Sequence, residues 1–135
     1  MVEESNGARI LRGIEAFNAG DHDGVVDLLA DDVEWKRVDG LPDTGRGWIH
    51  GREAVRAFLE PEVFDVARIE PLEIVEGDDT VLIHAIFHAR GAGSGIEMKT
   101  DTYLAYVINA DGLAERVESW RAREDAERSA GLRFT

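Results

Sequence analysis

The segment VLIHAIFHARG, residues 81–91, decides how the fold is interpreted, because it is built like a β-strand and yet carries two histidines. Successive side chains of a strand point to opposite faces of a sheet. One face of this segment carries Val81, Ile83, Ala85, Phe87 and Ala89. The other face carries Leu82, His84, Ile86, His88 and Arg90. We therefore predict a strand with one apolar face and one face that combines histidines with apolar residues.

The residues around this segment predict further strands. From residue 63 to about residue 120, runs rich in branched and aromatic residues are separated by EGDD (76–79), GAGSG (91–95) and NADG (109–112). Glycine, asparagine and aspartate are the residues that tight turns favour. We predict antiparallel strands joined by these three turns.

The amino-terminal half has the periodicity of helices. Apolar residues recur at helical spacing in ARILRGIEAFNAGD (8–21), in DHDGVVDLLADD (21–32), where Asp21 is a candidate helix cap, and in REAVRAFLE (52–60), which Pro61 ends. We predict that the second helix runs through Leu29.

The remaining segments complete the order of elements. VEWKRV (33–38) alternates like a strand, with Trp35 and Arg37 on one side, DGLPDTGRG (39–47) is typical of a loop, and AREDAERSAGL (122–132) predicts a short closing helix. Helices, a strand, a helix and then a sheet predict an α+β fold with the helices on one face of the sheet.

Composition limits the classes of protein. With 135 residues the chain predicts one domain, 1–135. A net charge of -13, from 28 acidic and 15 basic residues, opposes binding to nucleic acid or to anionic membranes. The acidic residues of MVEESNGARI do not resemble a secretory signal, which predicts a cytoplasmic protein. Without cysteine, thiolate and zinc-thiolate chemistry is excluded, and we expect no cofactor and no metal.

Several phrases resemble a known family. FNAGDHDGVVDLLADDVEW (17–35), WIHGREAVRAFL (48–59) and RVESWRAREDAERSAGL (116–132) are similar to the SnoaL-like group of the nuclear transport factor 2-like superfamily, which includes ketosteroid isomerase and limonene epoxide hydrolase. The resemblance implies a cone-shaped, cystatin-like fold, in which a curved antiparallel sheet wraps around the amino-terminal helices and leaves a pocket. It also implies a homodimer. It does not decide the activity, because this fold carries many chemistries.

The strand pattern predicts a reactive pair on the histidine face. When the hairpin is closed about 91–95, one register places His84 directly opposite Asp101. The resemblance to ketosteroid isomerase implies the same face: His84, Ile86 and His88 match positions that contact its steroid, and Asp101 matches its oxyanion-hole aspartate. An imidazole oriented by a carboxylate can move protons near neutral pH.

Other positions depart from these relatives. Arg37 stands where ketosteroid isomerase has its general base, Gly13 where it has its oxyanion tyrosine, and Ala122 where limonene epoxide hydrolase has a catalytic aspartate. Steroid isomerisation and epoxide hydrolysis by those residue sets are therefore not expected. Arg37 could neutralise a developing negative charge, although an internal ion pair explains it equally well.

Every candidate residue has a purely structural alternative. His84 and His88 could only fill a sheet face, and four strand positions separate them by about 13 Å, which is too far for a shared metal ion. Trp35, Tyr103 and Trp120 are predicted on the inner, pocket-lining face, where they would wall an apolar ligand or pack in the core. The opposite face carries the predicted dimer contacts, Phe87, Leu104, Tyr106 and Ile108.

The sequence thus favours a pocket for a small apolar or aromatic carbonyl compound. Its chemistry would be that of a cofactor-independent isomerase, cyclase or dehydratase, with His84, Asp101 and Arg37 catalytic and Trp35, Ile86, His88, Tyr103 and Trp120 contacting the substrate. One alternative is a non-catalytic binding or dimerisation module of the same fold. Another is a structural domain whose cone is filled by Trp35, Trp120 and Phe58.

Overall fold

The computed structural model describes residues 4–37, 47–59 and 64–135, with the side chains of all but 64 and 65. The described residues form four helices: α1 (Asn6–Asn18), α2 (His22–Val26), α3 (Arg52–Leu59) and α4 (Arg123–Ala130). They also form six strands: β1 (Leu29–Lys36), β2 (Trp48–His50), β3 (Phe64–Glu76), β4 (Thr80–Gly91), β5 (Glu97–Ile108) and β6 (Ala114–Trp120). The predicted loop up to residue 46, and Pro61, lie outside the described residues. The prediction that 1–135 is one domain stays a prediction.

The predicted cap of α2 is confirmed, but its predicted end is wrong. The Asp21 carboxylate accepts a hydrogen bond from the Gly24 N–H at 3.0 Å, which satisfies one of the free donors of the first helical turn. The helix stops at Val26, and Leu29 is already the first residue of β1. The Leu28 carbonyl accepts from the Ala114 N–H at 2.9 Å, so pairing with β6 replaces the helical hydrogen bonds that periodicity alone predicted.

The sheet has the order β2-β1-β6-β5-β4-β3 among the described residues and is curved without closing. All neighbours are antiparallel except β1 and β6, which are parallel. The three predicted turns are confirmed: the N–H groups of Gly77, Gly91 and Asn109 donate to the carbonyls of Thr80, Ile96 and Leu113 at 2.8 Å. The predicted α+β class and the strand meander are therefore correct.

The inner face of the sheet is the one that packs against α1, α2 and α3. Val81, Ile83 and Val117 are fully buried there, in one cluster with Ile14 of α1 and Val55 of α3. Complete burial of such side chains contributes roughly 1.5–3 kcal/mol each, so this contact is the main core of the protein.

The outer face is the opposite one, and α4 with the residues after it covers part of it. Leu82 and Ala105 are buried against Ala126 and Phe134. The prediction that the helices gather on one face is therefore wrong for α4. No helix among the described residues is long and apolar enough to cross a membrane.

The assignment of inner and outer faces from the sequence was inverted. Leu104, Tyr106 and Ile108, predicted as outward dimer contacts, are buried beneath the amino-terminal helices. In β4 and in β5, one of the two sets of alternate residues is more apolar than the other. The amphipathic helices bury this more apolar set. The histidine face is left for α4 and solvent.

Candidate functional site

His84 and Asp101 form the predicted pair, although by a different register. His84 is paired directly with Tyr103, and Asp101 with Ile86, so the two polar residues are diagonal neighbours on the outer face. Nε2 of His84 lies 2.7 Å from Oδ1 of Asp101. Because a carboxylate only accepts, Nε2 donates this hydrogen bond, and in the neutral ring Nδ1 is then the nitrogen that can take up a proton.

Aromatic side chains enclose the His84 imidazole. The ring stacks on Tyr103 with centroids 4.7 Å apart, and Phe134 approaches it edge-on at 6.1 Å. The His84 side chain is consequently 18% exposed, whereas the Asp101 side chain is 62% exposed. The histidine of the pair is thus largely buried, and its carboxylate partner is exposed.

Phe134 and Thr135 lie beside this pair. Glu73, which is paired with His84 across β3 and β4, accepts hydrogen bonds from the Thr135 N–H at 2.9 Å and from the Thr135 hydroxyl at 2.8 Å. The Thr135 backbone N–H is the largest cause that lowers the pKa of Glu73. Thr135 is thereby held against β3, the neighbour of the strand that carries His84.

His88 has a partner that the sequence analysis did not identify. Its Nε2 lies 2.8 Å from Oε1 of Glu70 on β3. This hydrogen bond is the first cause that lowers the pKa of Glu70, and the positive charges of Arg68 and Lys99 lower it further. The sequence signal for a charged partner of His88 was the alternation of Arg68 and Glu70 on β3. The partner itself could not be assigned from the sequence, because the register of β3 against β4 shifts at a bulge near Pro71.

The sheet separates the remaining predicted site residues. Trp35 packs in the inner core, and the Arg37 guanidinium lies 5.4 Å from the ring of Phe58 on α3, also on the inner side. Ile86, Tyr103 and Trp120 lie on the outer face with the two histidines and Asp101. The expectation that all eight line one pocket inside the cone is wrong, because the outer-face side chains point away from its interior.

Trp120 belongs to a buried polar network rather than to a pocket wall. Its indole N–H donates to Glu118 at 3.2 Å, and the Arg116 Nε donates to the same carboxylate at 3.0 Å, as does the Ser129 hydroxyl. Glu118 is only 5% exposed, so these donors replace its lost hydration. The network fastens α4 to β6.

A small cavity of about 70 Å³, partly open to solvent, lies between the inner face and the first helices. Its walls are almost entirely apolar and include Gly13, Ile14, Phe17, Val25, Leu28 and Trp35. Gly13 matters because a β-carbon there would lie 2.8 Å from Cδ1 of Leu28, so α1 and α2 approach closely at this point. Tyr106 also lines the cavity.

A larger hollow of about 410 Å³ lies near the β4–β5 hairpin. Charged side chains of Arg90, Glu97 and Lys99 line it together with His88 and Met98. All three charged residues are exposed, so this hollow is part of the solvated surface. In the described part of the chain, no three His, Asp or Glu side chains are grouped to hold a metal ion.

Solved structures share this arrangement of curved sheet and helices. An NTF2-like protein of unknown function from Burkholderia pseudomallei is 25% identical, with 93% of this chain and 97% of that chain covered and a TM-score of 0.78. A Mycobacterium tuberculosis protein in complex with estradiol-17β-hemisuccinate is 22% identical, with 86% and 93% covered and a TM-score of 0.73. TerC, co-crystallised with polyporic acid, is 23% identical, with 93% and 98% covered and a TM-score of 0.76. The fold is therefore that of the NTF2-like proteins.

The sequence also identifies the family within this fold. Residues 10–117 match the model of the SnoaL-like domain, and the chain belongs to this family. No curated protein matches the chain.

Proposed function

We propose that the chain binds a small, mainly apolar molecule in the cavity between the inner face and helices α1 and α2. The observation that carries this proposal is the cavity itself: it lies against the main core, and its described lining has no charged side chain. Ligand sites of proteins are typically concave, largely apolar and furnished with few polar groups.

The size of the cavity limits what it can hold. An apolar cavity of about 150 Å³ is known to hold benzene, and this one is half as large at about 70 Å³. A ligand therefore enters with one small ring or chain end, and flexible side chains such as Leu28 move to admit it. The ligands of two structural neighbours, estradiol-17β-hemisuccinate and polyporic acid, support a ring-bearing molecule.

A titration followed by methyl NMR tests this proposal. Methylenecyclopentane, a ring hydrocarbon with six heavy atoms, should shift the methyl signals of Ile14, Val25 and Leu28 saturably. Gly13→Ala should weaken binding, because the added β-carbon pushes Leu28 into the cavity, whereas Glu15→Ala on the exposed side of α1 should not. Saturable shifts confined to the outer face, or none at all, would refute the proposal.

Proton transfer at His84 is a second candidate, supported by the 2.7 Å contact with Asp101. In this candidate the site is the outer-face pair and not the cavity, and the reaction is exchange of an acidic C–H proton of a carbonyl compound with solvent. Nδ1 of His84 acts as the base that removes the proton, and Asp101 orients the imidazole. Ile86 and Tyr103 would contact the substrate, and Arg37 would have no part in it. Exchange of the α-protons of cyclopentanone in D₂O measures this activity directly.

The expected result is catalysed exchange that His84→Ala abolishes and Asp101→Asn reduces. Exchange at the same rate in both variants as in wild type would eliminate this candidate and leave the non-catalytic binding module. His22→Gln, which changes a histidine on α2, is the control.

We also propose a homodimer and a cytoplasmic location. The part of the outer face that α4 leaves open carries the half-buried Ile86 and the exposed Val66, an apolar strip suited to a second copy of the chain. Light scattering should show a dimer that Ile86→Lys dissociates; a monomeric wild type would refute it. Cell fractionation tests the proposed location.

A further inference from the structure

The Tyr106 hydroxyl is a polar group in an otherwise apolar part of the core. Tyr106 lies on the inner face of β5, is 7% exposed and lines the 70 Å³ cavity. Leu104 and Ile108, two positions away on either side, are buried in the same cluster. A tyrosine at such a position is unfavourable compared with phenylalanine unless its hydroxyl makes a hydrogen bond.

Within the described part of the chain, this hydroxyl has no hydrogen-bond partner. Every fully enclosed side-chain nitrogen or oxygen of these residues does have one. The hydroxyl must therefore border accessible space, and the cavity that Tyr106 lines is the accessible space that the structure shows beside this residue. A residue with an unpartnered donor thus forms part of the wall of an apolar cavity.

We propose that the Tyr106 hydroxyl donates a hydrogen bond to a neutral oxygen acceptor, such as a ketone, ether or epoxide oxygen, on the apolar ligand bound in the cavity. This inference rests on the proposed function and adds the polar group by which that ligand is recognised. It assigns Tyr106 as a binding residue of the inner cavity.

Charge considerations favour a neutral acceptor over a carboxylate. Burial raises the pKa of Tyr106 above its ordinary value of 10, so the group stays a neutral donor. Among the described residues that line the cavity, none is a cation, and a carboxylate would lose its hydration there without a counter-charge.

Water is a poor alternative occupant. A buried water usually makes about three hydrogen bonds. The polar side chains of the described lining are Tyr106 and Trp35. A molecule with one acceptor and an apolar body matches this lining better than water does.

A pair of nearly isosteric ligands tests the hydrogen bond. Cyclopentanone carries an oxygen where methylenecyclopentane carries a CH₂ group, so their affinity ratio isolates the acceptor. NMR titration of both ligands would be compared among wild type, Tyr106→Phe and Thr102→Val. Thr102 is the matched control, because Thr102→Val also removes one hydroxyl from the same face of β5 and Thr102 does not line the cavity.

The expected result is that Tyr106→Phe lowers the affinity for cyclopentanone by about 2- to 10-fold relative to the affinity for methylenecyclopentane. This is the range expected for the loss of one net hydrogen bond. Thr102→Val should leave the ratio unchanged. If both ligands bind and the ratio is the same in wild type and Tyr106→Phe, the inference fails while the proposed function stands. If neither ligand binds in the cavity, both fail.

A ligand-free measurement adds an independent test. Tyr106→Phe should have an unchanged or higher Tm, because it removes a buried hydroxyl without breaking a hydrogen bond. A lower Tm would show that the hydroxyl already has a partner within the protein and would overturn the inference.

Discussion

Nε2 of His84 lies 2.7 Å from Oδ1 of Asp101, on the face of the sheet that is turned away from α1, α2 and α3. The contact joins diagonal neighbours, since Asp101 is paired with Ile86. Its position means that this pair and the cavity beside α1 and α2 are two separate candidate sites, one on each face of the sheet. Ligand binding inside the cone and proton transfer at His84 can therefore be tested independently.

The exposure of Asp101 predicts a small contribution of this pair to stability. Asp101→Asn should lower the free energy of unfolding by less than about 1 kcal/mol, as expected for an ion pair or hydrogen bond with one exposed partner. Urea unfolding measures the effect, with Asp111→Asn in the β5–β6 turn as the control. A loss of several kcal/mol would show that the pair is a structural element rather than an accessible one.

Glu118 should be far more important for stability. Glu118→Ala leaves the Trp120 indole, the Ser129 hydroxyl and Arg116 without their acceptor, and we expect a loss of about 2 kcal/mol. Glu115→Ala, an exposed change on the same strand, should cost little. Equal effects of the two variants in urea unfolding would contradict the role of the network.

The pair of His88 and Glu70 predicts a pH effect with a definite sign. Because the hydrogen bond from His88 lowers the pKa of Glu70 below 4.5, its contribution to stability is present above about pH 4.5 and is lost as the pH falls through the lowered value. His88→Gln should raise the pKa of Glu70 in an NMR titration. The stability difference between wild type and this variant should shrink at acid pH.

His84→Gln is the control for that titration, because it changes the other histidine of β4. It should leave the Glu70 titration unchanged. A Glu70 pKa that does not respond to His88→Gln would mean that the 2.8 Å contact does not persist in solution.

Tyr106→Phe should be neutral or stabilising. A hydrogen-bonded tyrosine loses about 1 kcal/mol of stability on this change, whereas an unpartnered buried hydroxyl costs free energy and its removal gains some. We therefore expect the free energy of unfolding to stay the same or to rise by up to about 1 kcal/mol. Chemical denaturation of wild type and variant, with Tyr103→Phe alongside, gives the answer.

The secondary-structure elements were predicted well from the sequence, but the inner and outer faces of the sheet were not. Local signals such as the Asp21 cap, the glycine turns and the alternation in 81–91 depend on neighbouring residues, and the structure follows them. Which face of β4 is inside depends on whether the helices bury Ile83 or Leu82, and both are fully buried apolar residues. Alternation within one strand cannot distinguish them.

The site shows the same limit. His84 and Asp101 were correctly brought together, because any register that aligns the two apolar sets keeps them on one face. Tyr106 was not recognised as a residue of the cavity wall, because it was assigned to a dimer surface. A tyrosine between Leu104 and Ile108 in an apolar set was the available signal.

The central claim is that the cavity behind Gly13 and Tyr106 accepts an apolar guest. A crystal structure of the protein under xenon pressure tests this most directly, since xenon enters apolar cavities without needing polar contacts. We predict a xenon atom between Leu28 and Tyr106, with reduced occupancy in Gly13→Ala. Xenon bound only elsewhere, or a water held by several hydrogen bonds in this cavity, would contradict the claim.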